Sequence, residues 1–170
     1  MAAGSTYTPI ATTTLGSAVT SFTFTSIPQT YTDLILIASG SISASGPAFK
    51  VRVGSSNTID TGNNYSMNRL IWYASGSPYP VESPNISYYS LDGSSYSSSA
   101  QNIAISNIMN YSNTTTYKTM LNRSGYASDQ AEMSVALWRS TNAINTIQVL
   151  VDSQSINAGT TFTLYGIASA

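Results

Sequence analysis

The chain has 170 residues, seven acidic against six basic, with neither His nor Cys. Net charge is -1 and only 8% of residues are charged, where an average soluble domain carries roughly 25%. A disulfide, a metal site built on Cys or His, and every acid-base or nucleophilic mechanism that needs a His are excluded.

Six scattered cations cannot supply the phosphate contacts that drive nucleic-acid affinity, so no nucleic-acid partner is expected. No apolar run is long enough to span a bilayer, and Met1 to Ser5 lacks the basic and apolar regions of a signal peptide. Disorder is not expected either. Disordered chains pair low hydrophobicity with high net charge, and here 42% of residues are hydrophobic and 11% aromatic. Ser and Thr make up about 30% of the chain, so solubility rests on hydroxyls and amides rather than on ions.

In chain order the dominant pattern is alternation with period two, which predicts strands. Residues 1–14 are small and polar, and form an N-terminal arm or an edge strand; Pro9 confines a strand there to an edge or a bulge. Phe22 and Phe24 alternate with Ser and Thr. Asp33 to Ala38 is apolar on both faces and reads as a buried central strand. Phe49, Val51 and Val53 alternate with Lys50 and Arg52, which predicts an apolar face in and a cationic face out. Met67 to Tyr73 and the shorter Ile86 to Leu91 follow. Ile103 and Ile105 alternate with Ala104 and Ser106, and Tyr117, Thr119 and Leu121 with Lys118 and Met120. Met133, Val135 and Leu137 alternate with Glu132, Ser134 and Ala136. Ile147 to Val151 and Phe162 to Leu164 close the series.

Polar breakers separate these runs. Gly40 to Pro47, Gly54 to Asn64, Asn110 to Thr116 and Asn157 to Gly159 read as loops and turns. Gly76 to Pro84, with three prolines, reads as a loop, and Asp92 to Ser99 is the most biased segment. Asp129 to Trp138 is the best helix candidate, but its alternation argues strand. About ten short strands with polar turns predict an all-β fold, an antiparallel β-sandwich of jelly-roll-like form, with residues 15–170 as one domain.

Few residues suggest chemistry. The seven carboxylates (Asp33, Asp60, Glu82, Asp92, Asp129, Glu132 and Asp152) form no cluster of the kind a glycosidase needs. Asp129 and Glu132 lie three apart, on opposite faces of a strand. All seven read as solvated loop or rim residues, so no catalytic, cofactor-binding or metal-binding residue is assigned. The five Asn-X-Ser/Thr sequons at Asn64, Asn85, Asn110, Asn113 and Asn122 are what so much Ser, Thr and Asn gives by chance. Arg69, Arg123 and Arg139 read as structural cations paired with carboxylates. Twelve Tyr stand against four Phe and two Trp. Tyr73, Tyr79, Tyr88, Tyr89 and Tyr96 cluster around the proline-rich stretch and form the candidate interaction surface.

Tyr7 to Thr12, Phe22 to Pro28, Tyr31 with Asp33 to Leu36, Asn63 to Ser66, Leu137-Trp138, Asn142 to Ile147 and Ala158 to Ile167 together carry a resemblance. Their order and spacing resemble a family of small structural proteins of tailed bacteriophages, frequent in cyanophages. The resemblance implies a capsid decoration (cement) protein on the capsid surface of the virion. Such a protein would be a homotrimer, bind the major capsid protein, and have no cofactor and no catalytic residue. The alternative within the same resemblance is a neck or tail fibre module that contacts host-surface glycans.

Overall fold

The computed structural model describes residues 6–44, 49–74, 76–91, 102–126 and 130–168. In chain order the strands are β1 (Tyr7–Thr14), β2 (Ser21–Phe24), β3 (Asp33–Gly40), β4 (Lys50–Ser55), β5 (Thr58–Ile59), β6 (Tyr65–Tyr73) and β7 (Tyr79–Ile86). They continue with β8 (Tyr89–Ser90), β9 (Asn102–Met109), β10 (Lys118–Tyr126), β11 (Gln130–Trp138), β12 (Thr146–Leu150) and β13 (Thr161–Ile167). No helix occurs among the described residues.

The strands form two antiparallel sheets packed as a β-sandwich. The long sheet has the order β1-β13-β3-β9-β10-β11-β6-β7. The short sheet has the order β2-β12-β4-β5, with β8 also paired to β4. Strands β9, β10 and β11 are consecutive antiparallel neighbours joined by short connections. At the first of these connections the Asn113 carboxamide oxygen accepts from the backbone amides of Thr115 and Thr116 at 2.7 and 2.9 Å. That local bond is why Asn favours such a turn. The β4–β5 hairpin turns on Ser56 and Asn57, both at positive φ (52° and 58°), the twist that matches antiparallel strands.

Between the sheets, Leu34, Leu36, Phe162 and Leu164 of the long sheet meet Phe24, Val51, Val53, Ile147 and Val149 of the short one. Phe162 stacks on Phe22 at 5.4 Å and meets Phe49 edge-on at 5.8 Å. The apolar run read at Asp33 to Ala38 is a central strand, β3, flanked on both sides. Its Leu34 and Leu36 are wholly buried and Ile35, on the opposite face, is nearly so.

Two local expectations need correction. Residues 79–84, read as part of a proline-rich loop, belong to strand β7 (Tyr79–Ile86). Among the described residues it pairs only with β6, at the edge of the sheet, where a proline's missing N–H costs no ladder bond. Its end is a bulge: Tyr65 pairs with Ile86 and Met67 with Ser83, so Pro84 and Asn85 oppose Ser66 alone, and Asn85 takes φ 55°. The cationic outer face read on β4 is also only half right. Lys50 is buried, ion-paired with Asp152 and lying 3.9 Å from the Tyr88 ring centroid.

Candidate functional site

Of the candidate tyrosines, Tyr89 does not lie at the surface. Tyr89 is wholly buried between the sheets, with its hydroxyl 3.3 Å from Ser106 Oγ, and burial pushes its phenol well above the ordinary range. It belongs to the core, because an aromatic next to β4 fills the space between sheets better than it serves a rim. Tyr88 and Tyr73 are half-buried. The Tyr79 side chain and Tyr96 lie outside the described residues.

The surface that stands out lies elsewhere, on the outer face of the long sheet, and it arises from an inverted pattern. In β11, Gln130, Glu132, Ser134, Ala136 and Trp138 point inward, while Ala131, Met133 and Val135 are exposed. In β10, Lys118, Met120 and Asn122 point inward and Leu121 and Arg123 outward. In β9, Ile103 and Met109 are exposed, and Asn102 and Ser106 are buried. Polar residues thus sit where a half-buried sheet ordinarily carries apolar ones. The register fixes this phase. Trp138, Ala136, Met120 and Ile108 pack into the core, and because side chains alternate strictly, the same parity turns Glu132, Ser134 and Asn122 inward further along.

Cross-strand register then gathers the outward residues. Met133 lies opposite Leu70 on β6 and Arg123 on β10, and Val135 opposite Asn68 and Leu121. Relative exposure is 60% for Met133, 49% for Val135, 44% for Leu121 and 38% for Leu70. Single exposed apolar residues are ordinary, but four neighbours form a patch that calls for explanation. Two depressions adjoin here. One of 390 Å³ lies among Leu70, Pro80, Leu121, Arg123, Met133 and Val135. The other, of 260 Å³, is bordered by Ser66, Glu82, Pro84 and Leu137. They share Asn68 and Val135. Arg123 and Glu82 are both exposed, and neither has an ion-pair partner among the described residues.

Behind this face the buried polar groups are poorly satisfied. Glu132 is 2% exposed, and neither of its carboxylate oxygens accepts a hydrogen bond among the described residues. Its nearest charge is Arg69 Nη1, 3.9 Å away, too far for a hydrogen bond. Burial raises the carboxyl to about 7 against the lowering pull of Arg69. Glu132 is therefore not the solvated rim residue its sequence suggested. Lys118 is wholly buried and donates to the carbonyls of Thr116 and Thr141 at 2.8 and 3.3 Å, while burial lowers its pKa.

The remaining charged groups are structural. Partial burial works to raise the Asp60 carboxyl, but bonds from Trp138 Nε1, Asn64 Nδ2 and the Gly62 amide outweigh it and hold it below the ordinary range. Arg139 bonds carbonyls and the Asn85 carboxamide rather than a carboxylate: Asn63 O at 2.6 Å, Tyr65 O at 3.4 Å and Asn85 Oδ1 at 2.9 Å. It thereby ties the β7 bulge to the end of β11. Asp129 lies outside the described residues. Among the described residues no three of His, Cys, Asp and Glu converge on a point that could hold a metal ion.

The outer face was missed in the sequence for a specific reason. Alternation tells which residues share a face, not which face points inward. One signal was present: the largest apolar residue of β11, Trp138, shares the parity of Glu132 and Ser134.

No family model, curated protein or solved structure matches the chain.

Proposed function

We propose that this chain is a structural protein of a tailed-phage virion, a capsid decoration protein that binds the major capsid protein and reinforces the head from outside. The reading joins the sequence resemblance to one observation. The sandwich keeps an apolar sheet face, centred on Leu70, Leu121, Met133 and Val135, turned to solvent. A face of this kind is covered when a protein is seated among neighbours, and it supplies contact area rather than reactive groups. Near-zero net charge suits close packing, because like subunits then repel one another little. The glycan-binding fibre reading has less behind it, since it leaned on a tyrosine surface to which the buried Tyr89 does not contribute.

The experiment is reconstitution. Purified chain is added to undecorated heads, and the heads are heated while release of their DNA is followed. Binding with a raised rupture temperature is expected. Heads that neither bind the chain nor gain stability would remove the proposal, and binding to tails alone would favour the fibre reading.

A further inference from the structure

We infer that the outer face of β7, β6, β11 and β10 is a self-association surface, occupied by the same face of a second copy related by a two-fold axis. Three observations lead there.

The first is charge placement. Among its described residues this patch carries one exposed cation, Arg123 on β10, and one exposed anion, Glu82 on β7. Glu82 lies opposite Asn68, which lies opposite Val135 and then Leu121; Arg123 lies one row away, opposite Met133 and then Leu70. Three strand spacings and one row put the two charges roughly 16 Å apart, on either side of the apolar centre. An isologous contact uses such a pair twice: if residue i meets j, then j meets i. With the axis lying in the interface, along the strands and between β6 and β11, each Arg123 reaches Glu82 of the other copy. Val135 then faces Asn68 of the other copy and Leu70 faces its Met133, all close to the axis.

The second is shape. The two depressions adjoin across Asn68 and Val135, one bordered by Arg123 and the other by Glu82. The rotation that pairs the charges keeps each depression at its own level along the strands, so each lies over its counterpart in the other copy. Two sheet faces pack about 10 Å apart and cover one another fully, whereas three faces around an axis touch chiefly along their margins.

The third is area. Four strands of eight or nine residues cover roughly 20 by 30 Å, so two copies bury on the order of 1,200 Å² in total, the lower bound of a specific interface. A reversible dimer is therefore expected rather than an obligate one. Both charges are exposed and have no ion-pair partner among the described residues, so the contact breaks no pair described there.

The test uses the whole chain in solution and needs no capsid, so it stands or falls separately from the virion reading. Sedimentation equilibrium and native mass spectrometry from about 1 to 200 µM are expected to show a species with the mass of two 18.0 kDa chains. Arg123→Glu and Glu82→Arg are each expected to weaken association about 10-fold or more, and the double reversal to restore it to within about 3-fold. Val135→Lys is expected to abolish the dimer while leaving the circular dichroism spectrum of the monomer unchanged. A monomer at every concentration, a trimer, or a double reversal as weak as the single ones would each overturn the inference.

Discussion

Where the short sheet lies over β3 and β13, side chains sort in the ordinary way: Leu34, Leu36, Phe162 and Leu164 point in, and Thr161 and Thr163 are only partly covered outside. Across β10 and β11 the sorting is reversed, with Glu132, Asn122 and Lys118 inside and Leu121, Met133 and Val135 outside. Both regions belong to one continuous hydrogen-bonded sheet. The contrast shows that a strand's phase is decided by its best-packed residues. Trp138 and Met120 are held by the core, and the rest of each strand follows their parity. The first region is built to stabilise the chain. The second gives up stability, through buried groups short of partners, and keeps an apolar surface free for contact.

The most forceful way to sharpen this contrast is to remove a core ring. Phe162 is fully buried between Phe22 and Phe49. Phe162→Ala should cost about 3–5 kcal/mol, from lost transfer energy plus the cavity left behind. Denaturant unfolding followed by tyrosine and tryptophan fluorescence measures it. A loss below about 1 kcal/mol would mean that the sheets are not closely packed there and would blur the distinction between the two regions.

The next test reverses the sign. The Glu132 carboxyl sits at about 7 in the fold against an ordinary value of 4.5. The folded chain therefore holds this proton more tightly than the unfolded chain. Wild-type stability is greatest, as far as this group is concerned, below pH 4.5, and falls as pH rises toward 7. Glu132→Gln cannot ionise, so it should match wild type near pH 4.5 and exceed it by about 3 kcal/mol at pH 8. Unfolding free energies at the two pH values decide the matter. Equal stability of the two proteins at pH 8 would show that the Arg69 guanidinium already compensates the buried charge.

These two sites also mark how far the sequence could be read. Phe162 was legible as core because Phe22-Thr-Phe24, Leu34 to Leu36, Phe49 to Val53 and Phe162-Thr-Leu164 each keep an unbroken apolar phase that the sheet partner confirms. The β-sandwich followed from those runs. Glu132 was not legible as buried, because a strand of period two offers two equivalent phases and only a tertiary partner selects one. Strand β7 was hidden for another reason. Proline is excluded from central strands, and nothing local says that residues 79–86 will lie at an edge. Tyr89 leaves the tyrosine grouping because closeness in sequence does not say which residue turns into the core.

The smallest expected effect bears most directly on the exposed region. Met133→Thr replaces the most exposed of the large apolar side chains with a strand-favouring polar one, on a face that no other part of the described chain covers. Folding stability should stay within about 0.5 kcal/mol of wild type, measured well below the association range so that the monomer alone is compared. Binding of an apolar surface dye should fall at the same time, because the centre of the patch is interrupted. The two readings together separate a surface residue from a structural one. If stability falls by about 2 kcal/mol or more, Met133 contributes to folding of the single chain, and the reversed half of the sheet is not held open for a partner.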